Sequence, residues 1–236
     1  MATYVLVHGA WGGAHGFRKI RPLLHADGRG HAVFTPSLTG VGERSHLTGP
    51  HVTLTTHIRD VVNTVLYEDL DNIVLLGFSY GGMVVTGALE HIADRVRHLV
   101  YLDAFVPDDG DSVERLLGRD DRPPMALGST WLIPPIEREL EDPAETAWAN
   151  ERRTPQPIGC FTERVRLARP LEEHVFSRTY IKATVDPPGP GGPSPFWRVA
   201  ERVRSSRAWR YHEIDTNHMI PNNRPKELAE ILLALD

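Results

Sequence analysis

The sequence contains a single cysteine, Cys160, among its 236 residues. One cysteine can form neither an internal disulfide nor a zinc site built from cysteines, so the cytoplasm is the expected compartment. Every apolar run is shorter than the ~18 residues that a membrane-spanning helix needs, so no membrane association is expected. A signal peptide is not expected either, because Met1–Thr3 leads directly into the apolar run Tyr4–Val7 without a basic start.

Charge of one sign is not concentrated anywhere along the chain. The 26 Lys and Arg residues are scattered among 31 Asp and Glu residues, for a net charge of −5, so a nucleic-acid partner is not expected. The apolar share of 41% and the charged share of 24% are typical of globular proteins and exclude disorder and coiled coil. The His, Asp and Glu residues show no metal-binding spacing, so neither a metal nor another cofactor is expected.

Short apolar runs alternate with segments of helical periodicity. Such runs are typical of strands that are covered on both faces, and the alternation predicts an α/β protein with a mainly parallel, doubly wound sheet. The six predicted strands are residues 4–7, 32–34, 73–76, 99–102, 180–183 and 209–214. A terminal helix is expected to begin at Pro225.

Residues 106–178 differ in composition from the rest of the chain, with many prolines and short charged helical segments such as 144–152. No strand is predicted there. We expect a helical cap inserted into a core formed by residues 1–105 and 179–236, within one structural domain. Apolar residues of the cap and of the loops at the sheet edge are candidates for the substrate pocket: Trp11, Phe105, Met125, Trp131, Leu132, Trp148, Phe161 and Met219.

The strongest local pattern is Gly77-Phe78-Ser79-Tyr80-Gly81, between a predicted strand and an apolar helix. This pattern is typical of a nucleophile elbow, in which glycines two residues on either side let a serine stand in a sharp turn. An acyl-transfer serine also needs backbone N–H groups aimed at the developing negative charge. The glycine-rich turn after the first strand suggests Ala10 as one donor, and Tyr80 follows the serine as the other. His8 is expected to hold this turn in place.

His218 is the expected catalytic base, because it follows the last predicted strand and precedes the last helix. Two aspartates compete for the acid that orients it: Asp186 after the penultimate strand and Asp103 after the strand before it. Chain order favours Asp186. Six other histidines are expected on solvated loops or helix faces: His46, His51, His57, His91, His98 and His174.

Five segments, in chain order, resemble the α/β-hydrolase superfamily, and within it the branch of plant methylesterases, hydroxynitrile lyases and bacterial pyrethroid-hydrolase-type esterases. These segments are 8–11, 37–44, 77–82, 100–105 and 217–219. The resemblance implies an α/β-hydrolase fold with a triad of Ser79, Asp186 and His218. It also implies an oxyanion hole formed by Ala10 and Tyr80.

The function expected from these residues is hydrolysis of a small or medium hydrophobic ester through an acyl-enzyme. Three alternatives on the same scaffold stay open: a lyase or decarboxylase, a tailoring enzyme that opens a lactone or cleaves a carbon–carbon bond, and a small-molecule receptor. The hydroxynitrile lyases of this branch carry a threonine and a lysine where this chain has Gly9 and Met219, which disfavours cyanohydrin cleavage. The expected partner is a small-molecule substrate, and a homodimer is left open.

Overall fold

The helices and strands follow the alternation predicted from the sequence. A computed structural model describes residues 1–119, 131–185 and 195–235. The strands are β1 Thr3–Val7, β2 Ala32–Phe34, β3 Ile73–Phe78, β4 Val96–Leu102, β5 Leu132–Ile133, β6 Gln156–Pro157, β7 Ser177–Ala183 and β8 Arg210–Ile214. The α-helices are α1 Ile20–His25, α2 Leu54–Tyr67, α3 Gly81–Ile92, α4 Val113–Leu116, α5 Pro143–Asn150, α6 Gly159–Thr162, α7 Pro195–Arg204, α8 Ile220–Asn223 and α9 Pro225–Leu233. Short 3-10 helices cover Ala14–Phe17, Gly42–Leu47, Ala93–Arg95 and Leu171–Glu173.

Six strands form one parallel sheet in the order β2-β1-β3-β4-β7-β8. The predicted α/β class with a six-stranded parallel sheet is therefore confirmed. Every residue of β3 is buried, because helices cover both faces of the sheet. Leu75 points into the core on the side of α2 and α3, whereas Leu76 points into the core on the side of α1 and α9.

Parallel pairing brings the carboxyl ends of the central strands to one edge of the sheet. Phe78 at the end of β3 lies beside Leu102 at the end of β4, and Leu102 lies beside Ile181 of β7. The residues that follow these strands, Ser79 and Asp103, therefore leave the sheet next to each other. This edge is where α/β proteins bind their ligands.

The chain between β4 and β7 contains α4, α5 and α6, and it also contains a strand pair that the sequence did not predict. β5 and β6 pair in antiparallel fashion over two residues each. Contacts with the loop after β1 hold this pair: the Trp11 N–H donates to Oε1 of Gln156 at 2.8 Å, and Trp11 Nε1 donates to the Ile133 carbonyl at 3.2 Å. The expectation of a strand-free cap was therefore wrong. Tertiary contacts stabilise this pair, and strands of two residues are too short to show a periodicity in the sequence.

In the described part of the chain, no helix combines the length and the apolar character that crossing a membrane requires.

Candidate active site

Ser79 stands in the left-handed turn that the glycine pattern predicts. Its φ is +56°, a strained value for a residue with a side chain. A Cβ atom on Gly77 would lie 2.6 Å from the Gly81 carbonyl oxygen, and one on Gly81 would lie 2.6 Å from the Val7 carbonyl oxygen. The two glycines therefore let β3 turn into α3 while β1 passes close by.

The backbone amides of Ala10 and Tyr80 lie in the two segments that flank Ser79. The loop after β1 approaches closely, since a Cβ atom on Gly9 would lie 2.9 Å from the Ser79 Cβ. Within the described ranges, neither the Ala10 nor the Tyr80 amide donates a hydrogen bond to another residue. Within that part of the chain, each of the two amides therefore has an unused donor in a segment next to Ser79.

His8 holds the loop after β1, as the sequence suggests. The Leu38 N–H donates to its Nε2 at 3.1 Å, so its Nδ1 carries the proton and donates to the Gly9 carbonyl at 2.8 Å. Burial lowers the pKa of His8 to about 4. A neutral ring with both nitrogens engaged in the loop has a structural role.

His57 anchors the residue after the nucleophile. Its Nδ1 lies 2.9 Å from the Tyr80 hydroxyl, and its Nε2 lies 2.8 Å from the Thr39 carbonyl, so the hydroxyl donates to Nδ1 and Nε2–H donates to the carbonyl. Burial lowers the pKa of His57 to about 4. The expectation that His57 and His98 are solvated was wrong: helix α2 packs His57 against the elbow, and His98 lies inside β4 with Nε2 2.8 Å from the Thr179 hydroxyl.

His218 follows β8 and lies at the same sheet edge. Its Nδ1 is 2.7 Å from Oδ2 of Asp103, an ideal distance for a charge-assisted hydrogen bond. The ring is stacked between two phenylalanines, with centroid distances of 4.8 Å to Phe78 and 5.0 Å to Phe196. Donation from Nδ1 to the carboxylate leaves the basic lone pair on Nε2, which is the tautomer a general base needs.

Asp103 is fully buried and has a positive φ of +41°. Its second oxygen, Oδ1, lies 2.9 Å from Nζ of the buried Lys182 and accepts from the Ala183 N–H at 3.3 Å. Burial alone would raise the pKa of this carboxyl, but the hydrogen bond and charge of His218, followed by those of Lys182, lower it. Asp103 is therefore held as a carboxylate between two basic groups.

The sequence favoured Asp186 as the acid, and Asp186 lies outside the described residues. The carboxylate that bonds His218 in the structure is that of Asp103, the alternative. The register of β3 and β4 places Asp103 next to Ser79 at the sheet edge, where its carboxylate meets the His218 ring. The choice of Asp186 stays a prediction.

Two of the expected pocket residues, Trp148 and Met219, line a cavity of about 50 Å³ beside Gly9. The Trp148 ring lies between two guanidinium groups, 4.1 Å from Cζ of Arg18 and 4.3 Å from Cζ of Arg152. Helix α5 of the inserted segment therefore forms one wall of this cavity.

The other expected pocket residues are spread around the sheet edge. Trp11 and Phe161 pack against each other in the buried core with ring centroids 5.5 Å apart, and Phe105 packs against Phe196 at 4.9 Å. Of the remaining three, Trp131 lies just before β5 and Leu132 is its first residue, and both are half-buried; Met125 lies outside the described residues.

Sequence reasoning missed three residues that contact this site: Lys182, Phe196 and Arg153. Lys182 could have been noticed, because a lysine inside the apolar run Tyr180–Ala183 is unusual for a strand buried on both faces. Phe196 and Arg153 carry no local pattern that points to the site. Within the described ranges, no group of three or more His, Cys, Asp or Glu residues is arranged to hold a metal ion.

Comparison with known proteins agrees with this fold. The model of the alpha/beta hydrolase family matches residues 4–231. A carbendazim hydrolyzing esterase from Nocardioides sp. (strain SG-4G) is 39% identical over the whole of both chains. The pyrethroid hydrolase of Sphingobium wenxiniae is 33% identical over 56% of this chain and 46% of its own length.

A solved structure of an extracellular alpha/beta-hydrolase from a Paenibacillus species superposes with a TM-score of 0.79 at 24% identity. That superposition covers 100% of this chain and 99% of the other. With the elbow at Ser79, the parallel sheet and a family match over nearly the whole sequence, the chain belongs to the alpha/beta hydrolase family.

Proposed function

We propose that the protein is a serine hydrolase that cleaves carboxylic esters, with Ser79 as nucleophile, His218 as general base and Asp103 as the acid that orients it. The 2.7 Å bond between His218 and Asp103, next to the elbow that presents Ser79, carries this proposal. A left-handed serine, a histidine with its basic nitrogen at Nε2 and two backbone amides that have no hydrogen-bond partner among the described residues are the parts that acyl transfer needs.

In the proposed reaction, His218 takes the proton of the Ser79 hydroxyl as the serine oxygen attacks the ester carbonyl. The negative charge that develops on the carbonyl oxygen is bound by the N–H groups of Ala10 and Tyr80. His218 then gives its proton to the leaving alkoxide, and the alcohol departs. A water molecule, deprotonated by His218, then attacks the acyl-enzyme. The bond between the acyl group and Ser79 breaks, the acid leaves and His218 returns the proton to Ser79, while Asp103 stays ionised and stabilises the imidazolium.

The relatives guide the choice of substrates to test. The relative that is 39% identical over its full length is named for hydrolysing carbendazim, and another for hydrolysing pyrethroids. We propose an ester of small or medium size and hydrophobic character, with carbendazim as the first compound to assay. No feature of the described residues favours a lyase, a tailoring enzyme or a receptor over an esterase, and the close approach of Gly9 to Ser79 leaves no room there for a hydroxyl-bearing side chain.

An active-site serine reagent, combined with an ester panel, tests this function. We expect the reagent to label Ser79 and the protein to hydrolyse a short-chain aryl ester but not mandelonitrile. Ser79→Ala should lose about 10⁴- to 10⁶-fold in kcat while keeping its unfolding midpoint, because triad members act as a unit. A Ser79→Ala variant that keeps a tenth of the activity, or cyanide release without ester turnover, would contradict the proposal.

A further inference from the structure

The small cavity beside Gly9 has one charged wall. Phe78 and Met219, the residues next to Ser79 and His218 in the sequence, line it from the sheet edge, and Trp148 and Arg153 line it from the inserted segment. Its volume of about 50 Å³ is far below the ~150 Å³ that holds a benzene ring. It therefore has room for a group of only a few heavy atoms.

The guanidinium of Arg153 makes few contacts of its own in this wall. Nη2 donates to the Ala10 carbonyl at 3.5 Å, at the long limit of a hydrogen bond, and Cζ lies 5.7 Å from the centre of the Trp11 ring. Nε is buried and has no hydrogen-bond partner among the described residues. No carboxylate in the described ranges lies within ion-pair distance of Arg153.

The charges around Arg153 do not compensate for its burial. Burial, followed by repulsion from Arg138, lowers the pKa of its guanidinium to about 10, so the side chain stays cationic at neutral pH. His15, which also lines the cavity, lies 3.5 Å from Glu43, so that carboxylate faces His15 instead. A half-buried cation that has no anionic partner among the described residues is costly, and a bound acceptor would offset that cost.

We propose that Arg153 binds a carboxylate or carbonyl oxygen of the substrate, a few bonds away from the scissile ester carbonyl. The inference rests on the proposed ester hydrolysis and narrows its substrate class to small esters that carry a second strong acceptor. Arg153 lies against Ala10, the proposed oxyanion donor, so an acceptor held by its guanidinium also places the scissile carbonyl near that amide. Arg153 is thus a specificity-determining residue, and a hydrocarbon chain of the same length cannot use it.

Three methyl esters of matched chain length test this role: monomethyl succinate, methyl 4-oxopentanoate and methyl pentanoate. We expect the protein to prefer the two acceptor-bearing esters by about 10- to 100-fold in kcat/KM, as for a hydrogen bond to a charged group. Arg153→Met should abolish this preference, and Arg153→Lys should restore part of it, since a lysine keeps the charge but loses the planar fork.

Arg152→Met is the matched control. Arg152 is the next residue in the sequence and stacks on Trp148, but its side chain is 43% exposed and does not line the cavity. This variant should leave the substrate preference at its original value. A preference that survives in Arg153→Met, or a loss in that variant that is equal for all three esters, would overturn the proposal.

Binding tests Arg153 independently of turnover. In Ser79→Ala, monomethyl succinate should bind at least tenfold more tightly than it does in the double variant that also carries Arg153→Met, as measured by calorimetry. Equal binding to the two proteins would overturn the role of Arg153 and leave ester hydrolysis untouched. Tight binding to Ser79→Ala without hydrolysis of any ester by the unmodified protein would instead overturn the proposed function and support the acceptor site.

Discussion

At the scale of single residues, the two aspartates that compete for the acid role should differ sharply when each is changed to asparagine. We expect Asp103→Asn to lower kcat by about 10⁴-fold, because an asparagine at that position would hold the His218 ring in the wrong tautomer. Asp186→Asn should have a much smaller effect. The measurement is kcat of both variants on one ester at one pH. A large loss of kcat in Asp186→Asn, with little loss in Asp103→Asn, would assign the acid role to Asp186.

Lys182 should tune the pH dependence of the reaction through Asp103. Its ammonium and the His218 ring bond opposite oxygens of one buried carboxylate, at 2.9 and 2.7 Å. Lys182 opposes protonation of His218, because the two cations repel each other and share that carboxylate. We expect Lys182→Met to move the acid limb of the kcat/KM profile to higher pH by about half a unit to one unit.

Lys182→Arg, which keeps the cation, is the control for this shift. It should leave the acid limb close to its original position even if the larger side chain lowers the unfolding midpoint. Profiles between pH 5 and 8 that coincide for the protein and the methionine variant would show that Lys182 has a purely structural role.

The residues of the candidate site differ in how far the sequence could reveal them. The turn at Ser79 follows from glycines two residues away on either side, and this short-range pattern was read correctly. The pairing of Asp103 with His218 joins residues 115 positions apart. It depends on the register between strands and on a left-handed residue after β4, which no local pattern encodes.

At the scale of elements, the start of α3 lies so close to the chain after β4 that only glycine fits at position 82. A Cβ atom on Gly82 would lie 2.0 Å from the Phe105 carbonyl oxygen, and the Phe105 N–H donates to the Ser79 carbonyl at 3.2 Å. We therefore expect Gly82→Ala to push the segment that follows Asp103 away from the elbow. Both the free energy of unfolding and kcat should fall, the former by about 1–3 kcal/mol, as for overpacking in a core.

Gly16→Ala is the matched control, because a Cβ atom there would meet nothing within 4 Å. Its free energy of unfolding should stay within about 0.5 kcal/mol of the original value. Chemical denaturation of both variants provides the measurement. Equal stabilities would mean that the backbone at Gly82 moves aside without disturbing the packing of α3 on the sheet.

The length and composition of each element explain whether the sequence could predict it. The central strands β1, β3, β4 and β7 were found because each contains a mainly apolar run, although all four extend beyond the predicted limits. β5 and β6 were missed because two residues cannot show a periodicity. Their pairing depends on the distant Trp11, whose backbone and ring bond residues of both strands.

At the scale of the whole molecule, three buried histidines couple stability to pH. His8, His57 and His98 are almost inaccessible to solvent, and burial lowers the pKa of each to about 4. In the unfolded chain a histidine has a pKa of about 6.5. Between these two values the unfolded state binds more protons than the folded state, so the stabilising effect of the neutral rings is complete above pH 6.5 and is lost as the pH falls towards 4.

We therefore expect the free energy of unfolding to decrease by about 2 kcal/mol for each of His8, His57 and His98 between pH 7 and pH 5. Urea denaturation at half-unit intervals of pH measures this slope. In His57→Gln the free energy of unfolding should fall by about 2 kcal/mol less over this pH range, because the glutamine amide does not titrate. His46→Gln is the control, because His46 is exposed in the folded protein and its loss should leave the slope unchanged. A free energy of unfolding that stays constant from pH 7 to pH 5 would mean that the three buried rings take up protons in the folded state as readily as in the unfolded chain.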